Sequence, residues 1–172
     1  MRILSALAIA CGLASCQVIP SDILSLEARA IVVDDAEGDI SEISEDDVDL
    51  SGYGAHVAIM TGLVDIVGGI ERRDFDNSEA TELDVGLRKR LFGLWRLDTY
   101  IEANLRYGFD LDTGDVSEDY FGYNAGFGAL VDLTDTLFLN FRVMYDTTSL
   151  DVSSGSVDVD GLIGTVGVGI KF

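Results

Sequence analysis

The chain contains a single histidine, His56, so acid–base or metal chemistry that requires an imidazole would have to use this residue. In the segment Gly54-Ala55-His56-Val57, its side chain is predicted to lie on the inward, polar face of a strand. A hydrolase that modifies lipids would need a serine or a carboxylate beside this ring, at a rim that the lipid reaches. No serine lies nearby on the same strand face. We therefore interpret His56 as a hydrogen-bonded interior histidine without a catalytic role.

A second candidate for chemistry is the motif Asp110-Leu111-Asp112-Thr113-Gly114-Asp115, in which carboxylates alternate and a turn glycine follows. It resembles a fragment of a calcium-binding loop, but it lacks a third aspartate before the glycine and the distal glutamate of such loops. The sequence therefore predicts no dedicated metal site and no cofactor. Two hypotheses remain, a solvated acidic surface and a rim that binds Ca²⁺ or Mg²⁺ weakly. The residues assigned to this rim are Asp46, Asp47, Asp49, Asp110, Asp112 and Asp115.

Arginines and carboxylates share the polar faces of several alternating segments, so each of these faces carries both signs of charge. Such charges stabilise one another when neighbouring segments bring them side by side away from water. We predict an interior salt-bridge network, and its members are Glu82, Asp84, Arg88, Arg90, Glu102, Arg106 and Arg142. The alternative is the solvated outer face of a two-sheet sandwich.

The elements that position these residues are predicted to be strands. In the clearest segment, Leu97, Ile101 and Leu105 share one face, while Glu102 and Arg106 share the other. A soluble sandwich would need a second apolar layer over such apolar faces, whereas a membrane barrel exposes them to lipid. The fold class predicted is all-β, an eight-stranded antiparallel up-and-down transmembrane β-barrel over residues 24–172. The predicted strands are 24–33, 51–61, 64–74, 81–91, 97–109, 120–131, 136–147 and 158–172.

The links between these segments alternate in length. Short links are expected near Gly62-Leu63, between Phe92 and Arg96, and between Asp132 and Asp135. Small outer-membrane barrels have short periplasmic turns and longer external loops. The alternation therefore predicts that the end with the short links faces the periplasm. The links predicted to be long are 34–50, 75–80, 110–119 and 148–157.

The amino-terminal segment is predicted to direct export. Arg2 precedes an apolar run that is too short to span a bilayer as a helix, so residues 1–15 are interpreted as a signal peptide. Leu13-Ala14-Ser15-Cys16 resembles the lipobox of bacterial lipoproteins, which implies lipidation of Cys16 and a periplasmic linker over 16–23. The alternative is an ordinary signal peptide with an incidental cysteine. Because Cys11 and Cys16 both lie in this region, the mature chain cannot form an internal disulfide.

The carboxy-terminal segment carries the most specific pattern. Thr165, Gly167, Ile170 and Phe172 form an arrangement that resembles the assembly signal of outer-membrane β-barrels. With the eight strands, it makes the chain similar to the small eight-stranded outer-membrane barrels, the porin-like superfamily that includes OmpX and the membrane domain of OmpA. The resemblance implies assembly by the outer-membrane barrel machinery of a Gram-negative bacterium. It also implies loops facing outside and both termini in the periplasm.

Charge and composition restrict the function. The net charge of −20, from 31 acidic and 11 basic residues, argues against nucleic acid as a partner. The leading hypothesis is a non-enzymatic surface barrel with a structural or surface-interaction role, whose loops contact ions, lipopolysaccharide or an external partner. Ions at the acidic rim would bridge it to lipopolysaccharide phosphates. The alternatives are a small passive pore and, less favoured, a lipid-modifying enzyme.

Overall fold

The computed structural model describes residues 23–39, 50–62, 64–75, 78–112, 117–152 and 155–172. Each strand pairs antiparallel with the next, and the last strand pairs with the first to close a barrel. Closure removes the unpaired sheet edges that an open sheet would present. The predicted eight-stranded antiparallel barrel is confirmed. Its strands are β1 (Leu24–Asp39), β2 (Leu50–Ile59), β3 (Asp65–Phe75), β4 (Ser78–Leu94), β5 (Leu97–Asp112), β6 (Ser117–Asp132), β7 (Leu137–Val152) and β8 (Gly155–Lys171).

The two ends of the barrel differ. Ile23 donates its backbone N–H to the carbonyl of Phe172 at 3.0 Å, so both ends of the described chain lie together. The links 60–64, 95–96 and 133–136 lie at this same end, which we call the terminal end. Trp95, in the two-residue link between β4 and β5, has a positive φ of 58°. We call the opposite end the hairpin end.

At the hairpin end the strands extend further than predicted. β1 continues to Asp39, and only two residues separate β7 from β8. The prediction of long loops at 34–50, 75–80, 110–119 and 148–157 was therefore wrong for most of these residues. In β1 the added residues 34–39 do not alternate between apolar and polar types, whereas in β7 and β8 the alternation continues through Leu150, Val152, Val157 and Val159. In both cases backbone pairing continues to satisfy the peptide groups.

Several predictions fall outside the described residues. Cys16 and the signal peptide lie in 1–22, and Asp46, Asp47 and Asp49 lie in 40–49. Asp115 lies in 113–116.

The distribution of polarity is the reverse of that in a water-soluble protein. Among the described residues, 19 buried side chains are polar or charged and only 10 are apolar. The outward face is apolar, with Leu105 66% and Phe127 64% exposed. Lys89 is a charged exception on this face, near the terminal end, where a long side chain can reach a membrane interface. No helix long and apolar enough to cross a membrane occurs in the described part of the chain.

The described residues form one small apolar cluster in the interior. Tyr100, Leu130 and Phe138 pack together near the terminal end, each at most 2% exposed. The guanidinium of Arg88 lies 4.4 Å from the centre of the Tyr100 ring, and the ammonium of Lys171 lies 5.6 Å from that of Phe138. These contacts place cations over aromatic faces, an attractive arrangement. Through Arg88 the cluster adjoins the charged region described below.

Candidate functional site in the barrel interior

The first group of interior charges surrounds Glu102 on β5. Arg88 from β4 donates Nε–H to one carboxylate oxygen at 2.7 Å, and Arg142 from β7 donates to the other at 2.9 Å. Asn104 adds a third hydrogen bond at 3.0 Å, and a guanidinium nitrogen of Arg29 lies 4.0 Å away. All of these residues are buried. We call this group the Glu102 cluster, in which three guanidinium groups surround one carboxylate.

The second group lies nearer the hairpin end and surrounds Glu82 on β4. Arg106 donates to both oxygens of Glu82 at 3.0 and 2.9 Å, and Nε of Arg73 lies 3.0 Å from one of them. The hydroxyl of Tyr120 donates to Glu82 at 2.5 Å. Both arginines also bind Asp146, Arg73 at 2.8 Å and Arg106 in a closer contact. These residues form the Glu82 cluster, which links β3, β4, β5, β6 and β7 across the barrel.

Neutral side chains connect the charged groups. Asn140 donates to both carboxylate oxygens of Glu27 at 2.9 and 3.1 Å, and its own oxygen accepts from Tyr100 at 2.7 Å. Glu27 in turn accepts from Arg29 at 2.5 Å. Such bonds satisfy carboxylate lone pairs that a salt bridge alone leaves unpaired. The interior is thus a connected polar network and not a set of isolated pairs.

The structure brings most of the predicted network residues together. Glu82 and Arg106 belong to the Glu82 cluster, while Arg88, Glu102 and Arg142 belong to the Glu102 cluster. Arg90 lies apart from both: its Nε is 3.3 Å from Asp65, and another of its nitrogens is 3.7 Å from Asp98. Asp84 contacts His56 instead of an arginine.

Sequence reasoning missed Asp65 and the neutral members of the network. Asp65 shares one face of the predicted strand 64–74 with Glu71 and Arg73, and that alternation was the available signal for its inward position. Tyr100 and Asn140 did fall on the polar faces of their segments, and that placement was the available signal. Their partners could not be inferred, because they are 40 residues apart and meet across the interior.

His56 is buried and faces inward, but its surroundings differ from the expectation. Its Nε2 lies 2.8 Å from Asp84 Oδ2 and 3.8 Å from Glu71 Oε2. Neither ring nitrogen makes a hydrogen bond, and Oδ1 of Asp84 makes none either. The interpretation of His56 as hydrogen-bonded was therefore wrong. Ligand-type atoms of His56, Glu71 and Asp84 all lie within 4.8 Å of one another, whereas the sequence predicted no dedicated metal site.

The residues of the proposed assembly signal occupy β8. Thr165 is buried and accepts a hydrogen bond from Arg142 at 3.2 Å, and Gly167 faces the same interior. Ile170 and Phe172 are exposed on the outside, at 38% and 61%. Two residues of the proposed acidic rim, Asp110 and Asp112, belong to strand β5 at the hairpin end.

Comparison with known proteins identifies the architecture. No model of a protein family matches the chain, and no curated protein matches it. Among solved structures, the chain is similar to Neisserial surface protein A with a TM-score of 0.67 and 13% identity, over 87% of this chain and 97% of that one. The fold is that of a small outer-membrane β-barrel.

Two further barrels of this class are similar to the chain. The amino-terminal β-barrel domain of Pseudomonas aeruginosa OprF gives a TM-score of 0.53 at 17% identity, over 86% of this chain and 97% of that one. Ail, the attachment invasion locus protein of Yersinia pestis, gives 0.50 at 12% identity, over 87% and 97%. At these identities the likeness shows a shared outer-membrane barrel fold and nothing about individual side chains.

Proposed function

We propose that this chain is a non-enzymatic barrel of the bacterial outer membrane, with a closed interior and a surface-interaction role at the hairpin end. The observation that carries the proposal is the inverted polarity, an apolar outward face around an interior occupied by ion pairs. Such an outward face requires an apolar solvent, which a bilayer supplies. The names of two similar structures, a surface protein and an attachment protein, favour a surface role.

The proposal also gives the orientation of the barrel in the membrane and a lipid anchor for its amino terminus. The terminal end would face the periplasm and the hairpin end the outside, with residues 1–15 removed and 16–23 as a linker. Lipidation of Cys16 would then attach the chain to the inner leaflet of the same membrane. Mass spectrometry of the mature amino terminus tests this part: a diacylglycerol-modified cysteine supports it, and an unmodified residue at a different cleavage site contradicts it.

A passive pore is the competing function, and the interior favours a plug. Eight strands leave a space just wide enough for side chains. Here that space holds Glu102 with Arg88 and Arg142, and Glu82 with Arg73 and Arg106. An ion crossing the barrel would have to break several of these pairs, all of which are buried.

Single-channel recording of the refolded protein in a planar bilayer tests the closed interior. We expect no reproducible current steps from protein whose folded state is shown by its heat-dependent shift in electrophoretic mobility. The matched positive control is the double variant Glu102→Gly/Arg142→Gly, which removes opposed side chains from the centre of one cluster. Steady conductance in the unmodified protein would overturn the closed-interior proposal and establish a pore.

The surface role is proposed to depend on divalent cations. The segment 34–49 contains nine acidic and no basic residues, and its like charges would repel lipopolysaccharide phosphates unless Ca²⁺ or Mg²⁺ intervened. We expect folded protein to bind lipopolysaccharide vesicles more strongly with millimolar Ca²⁺. Replacing Asp46, Asp47 and Asp49 by Asn should weaken this dependence. Replacing Ser41 and Ser44 by Ala, in the same segment, should not. Calcium-independent binding by all three proteins would contradict the ion bridge.

A further inference from the structure

We propose that His56, Glu71 and Asp84 form a binding site for one divalent transition-metal ion of the Zn²⁺ class inside the barrel. The three side chains come from three consecutive strands, β2, β3 and β4. An imidazole nitrogen and two carboxylates are ligands that Zn²⁺ accepts, with a water in the fourth position. This site is distinct from the weak acidic rim and does not depend on the proposed surface role.

The register of the strands explains why the three groups converge. His56 is the cross-strand partner of Gly69 on β3, and Gly69 is the partner of Asp84 on β4. Because Gly69 has no side chain, the imidazole lies directly over the β3 backbone and reaches toward Asp84. A Cβ at this glycine would lie 2.3 Å from Cδ2 of His56. Glu71, two residues further along β3, points into the same space.

The unpaired atoms of the site are the observation that points to a ligand. His56 is 3% exposed, and neither of its ring nitrogens makes a hydrogen bond, although Nε2 lies 2.8 Å from a carboxylate oxygen. A buried polar atom without a partner is costly, and a metal ion would supply a partner for Nε2 of His56 and for the carboxylate of Asp84, whose Oδ1 is also unpaired. The two carboxylates that flank the ring are also close enough to share one ion.

The charges around the site are not balanced by side chains. In the described structure, four carboxylates in this region share their ion-pair partners. They belong to Glu71, Glu82, Asp84 and Asp146. The guanidinium groups within ion-pairing distance of them belong to two residues, Arg73 and Arg106. The adjoining Glu102 cluster has the opposite excess, because Arg29, Arg88 and Arg142 face only Glu27 and Glu102. With a neutral imidazole the two groups together therefore carry one uncompensated negative charge. A bound cation and protonation of His56 would each compensate this charge, and the NMR measurement described below distinguishes them.

The test uses the full-length protein, refolded and freed of metal by dialysis against a chelator. Co²⁺ is the probe, because it substitutes for Zn²⁺ and its absorption reports the coordination geometry. We expect one equivalent to bind with the spectrum of a site that contains a nitrogen ligand, and Zn²⁺ to displace it. Elemental analysis of the same samples gives the stoichiometry independently.

Three variants separate the site from general damage to the interior. Asp84→Asn and His56→Gln should each weaken Co²⁺ binding at least about tenfold. Asp65→Asn is the matched control, because it makes the same change at another buried aspartate, one that is paired with Arg90 outside the site. The control should bind as the unmodified protein does. Folding of every variant is checked by its heat-dependent mobility shift before metal is added.

Three results would overturn the proposal. One is a folded, unmodified protein that retains no Co²⁺ or Zn²⁺ after gel filtration. Another is metal binding that Asp84→Asn and His56→Gln leave unchanged, because the metal would then be bound at the acidic surface. Proton NMR of the metal-free protein showing a permanently charged His56 ring, unchanged on addition of Zn²⁺, would equally assign the site to a histidinium–aspartate ion pair.

Discussion

At the scale of single residues, Glu102 is the position where the interior is most sensitive to the loss of one charge. Its carboxylate accepts from Arg88 at 2.7 Å and from Arg142 at 2.9 Å. Replacement by Gln keeps the size of the side chain and removes its charge. The arginines would then remain buried without a counter-charge, and breaking a buried pair in this way costs about 3–5 kcal/mol. Urea unfolding of the barrel in lipid vesicles measures the loss.

The comparison for Glu102→Gln is Glu79→Gln, the same chemical change in the exposed Arg72–Glu79 pair at the hairpin end. Water screens this pair, so the free energy of unfolding should fall by no more than about 1 kcal/mol. Equal losses in the two variants would show that burial does not set the strength of these ion pairs, and would remove the physical basis for a rigid interior.

At the scale of the strands, each inward-facing ring of the described interior lies across from a glycine on the neighbouring strand. Register pairs join His56 with Gly69 and Tyr100 with Gly128, and the same holds for the rings of Tyr120 and Phe138. A glycine removes one side chain from the barrel wall at the point where a ring must lie flat against it. Ring and glycine therefore act as one unit that spans two strands.

Gly128→Ala tests this unit. A Cβ there would lie 2.3 Å from both Cζ and Oη of Tyr100 and 2.7 Å from the backbone oxygen of Phe141. The ring and the neighbouring strand must therefore both shift, and the hydrogen bond from Tyr100 to Asn140 is expected to lengthen. We expect a loss of about 1–3 kcal/mol in unfolding free energy, the usual cost of overpacking. Gly68→Ala is the matched control in β3, where the nearest atom is a backbone oxygen at 3.3 Å. A loss in the control as large as in Gly128→Ala would contradict the role of the ring.

The strands also show how far the sequence predicts the structure. The number of strands and the inward face of residues such as Glu102 and Arg106 follow from the two-residue period, which depends only on local alternation. The extension of β1 to Asp39 was not predicted, because no apolar face marks it. The partners of individual side chains were not predicted either: Arg73 meets Asp146, 73 residues away, through the curvature of the closed wall. The convergence of His56 with Asp84 depends on an exact register across three strands, which the sequence alone does not specify.

At the scale of the whole molecule, the effect of the apolar outward face depends on whether water or lipid surrounds it. In water, the many exposed apolar side chains would form a surface prone to aggregation. In a bilayer the same side chains are solvated by lipid, while buried arginines and carboxylates pair with one another in the interior. The fold therefore predicts which positions of the outward face tolerate a charged side chain.

Leu105→Arg tests that claim directly. Leu105 is 66% exposed within the apolar face of β5. On a water-exposed surface, such a change usually alters stability by no more than about 0.5 kcal/mol. On the lipid face of a barrel, arginine near the bilayer midplane costs about 2–4 kcal/mol, and near the interface about 0–1 kcal/mol. We expect the larger loss for Leu105→Arg in urea titrations in lipid vesicles. Leu133→Arg, the same change in the turn between β6 and β7, should give the smaller one. Equal tolerance at both positions would mean that lipid does not cover the outward face, and the membrane assignment would fail together with the surface role built on it.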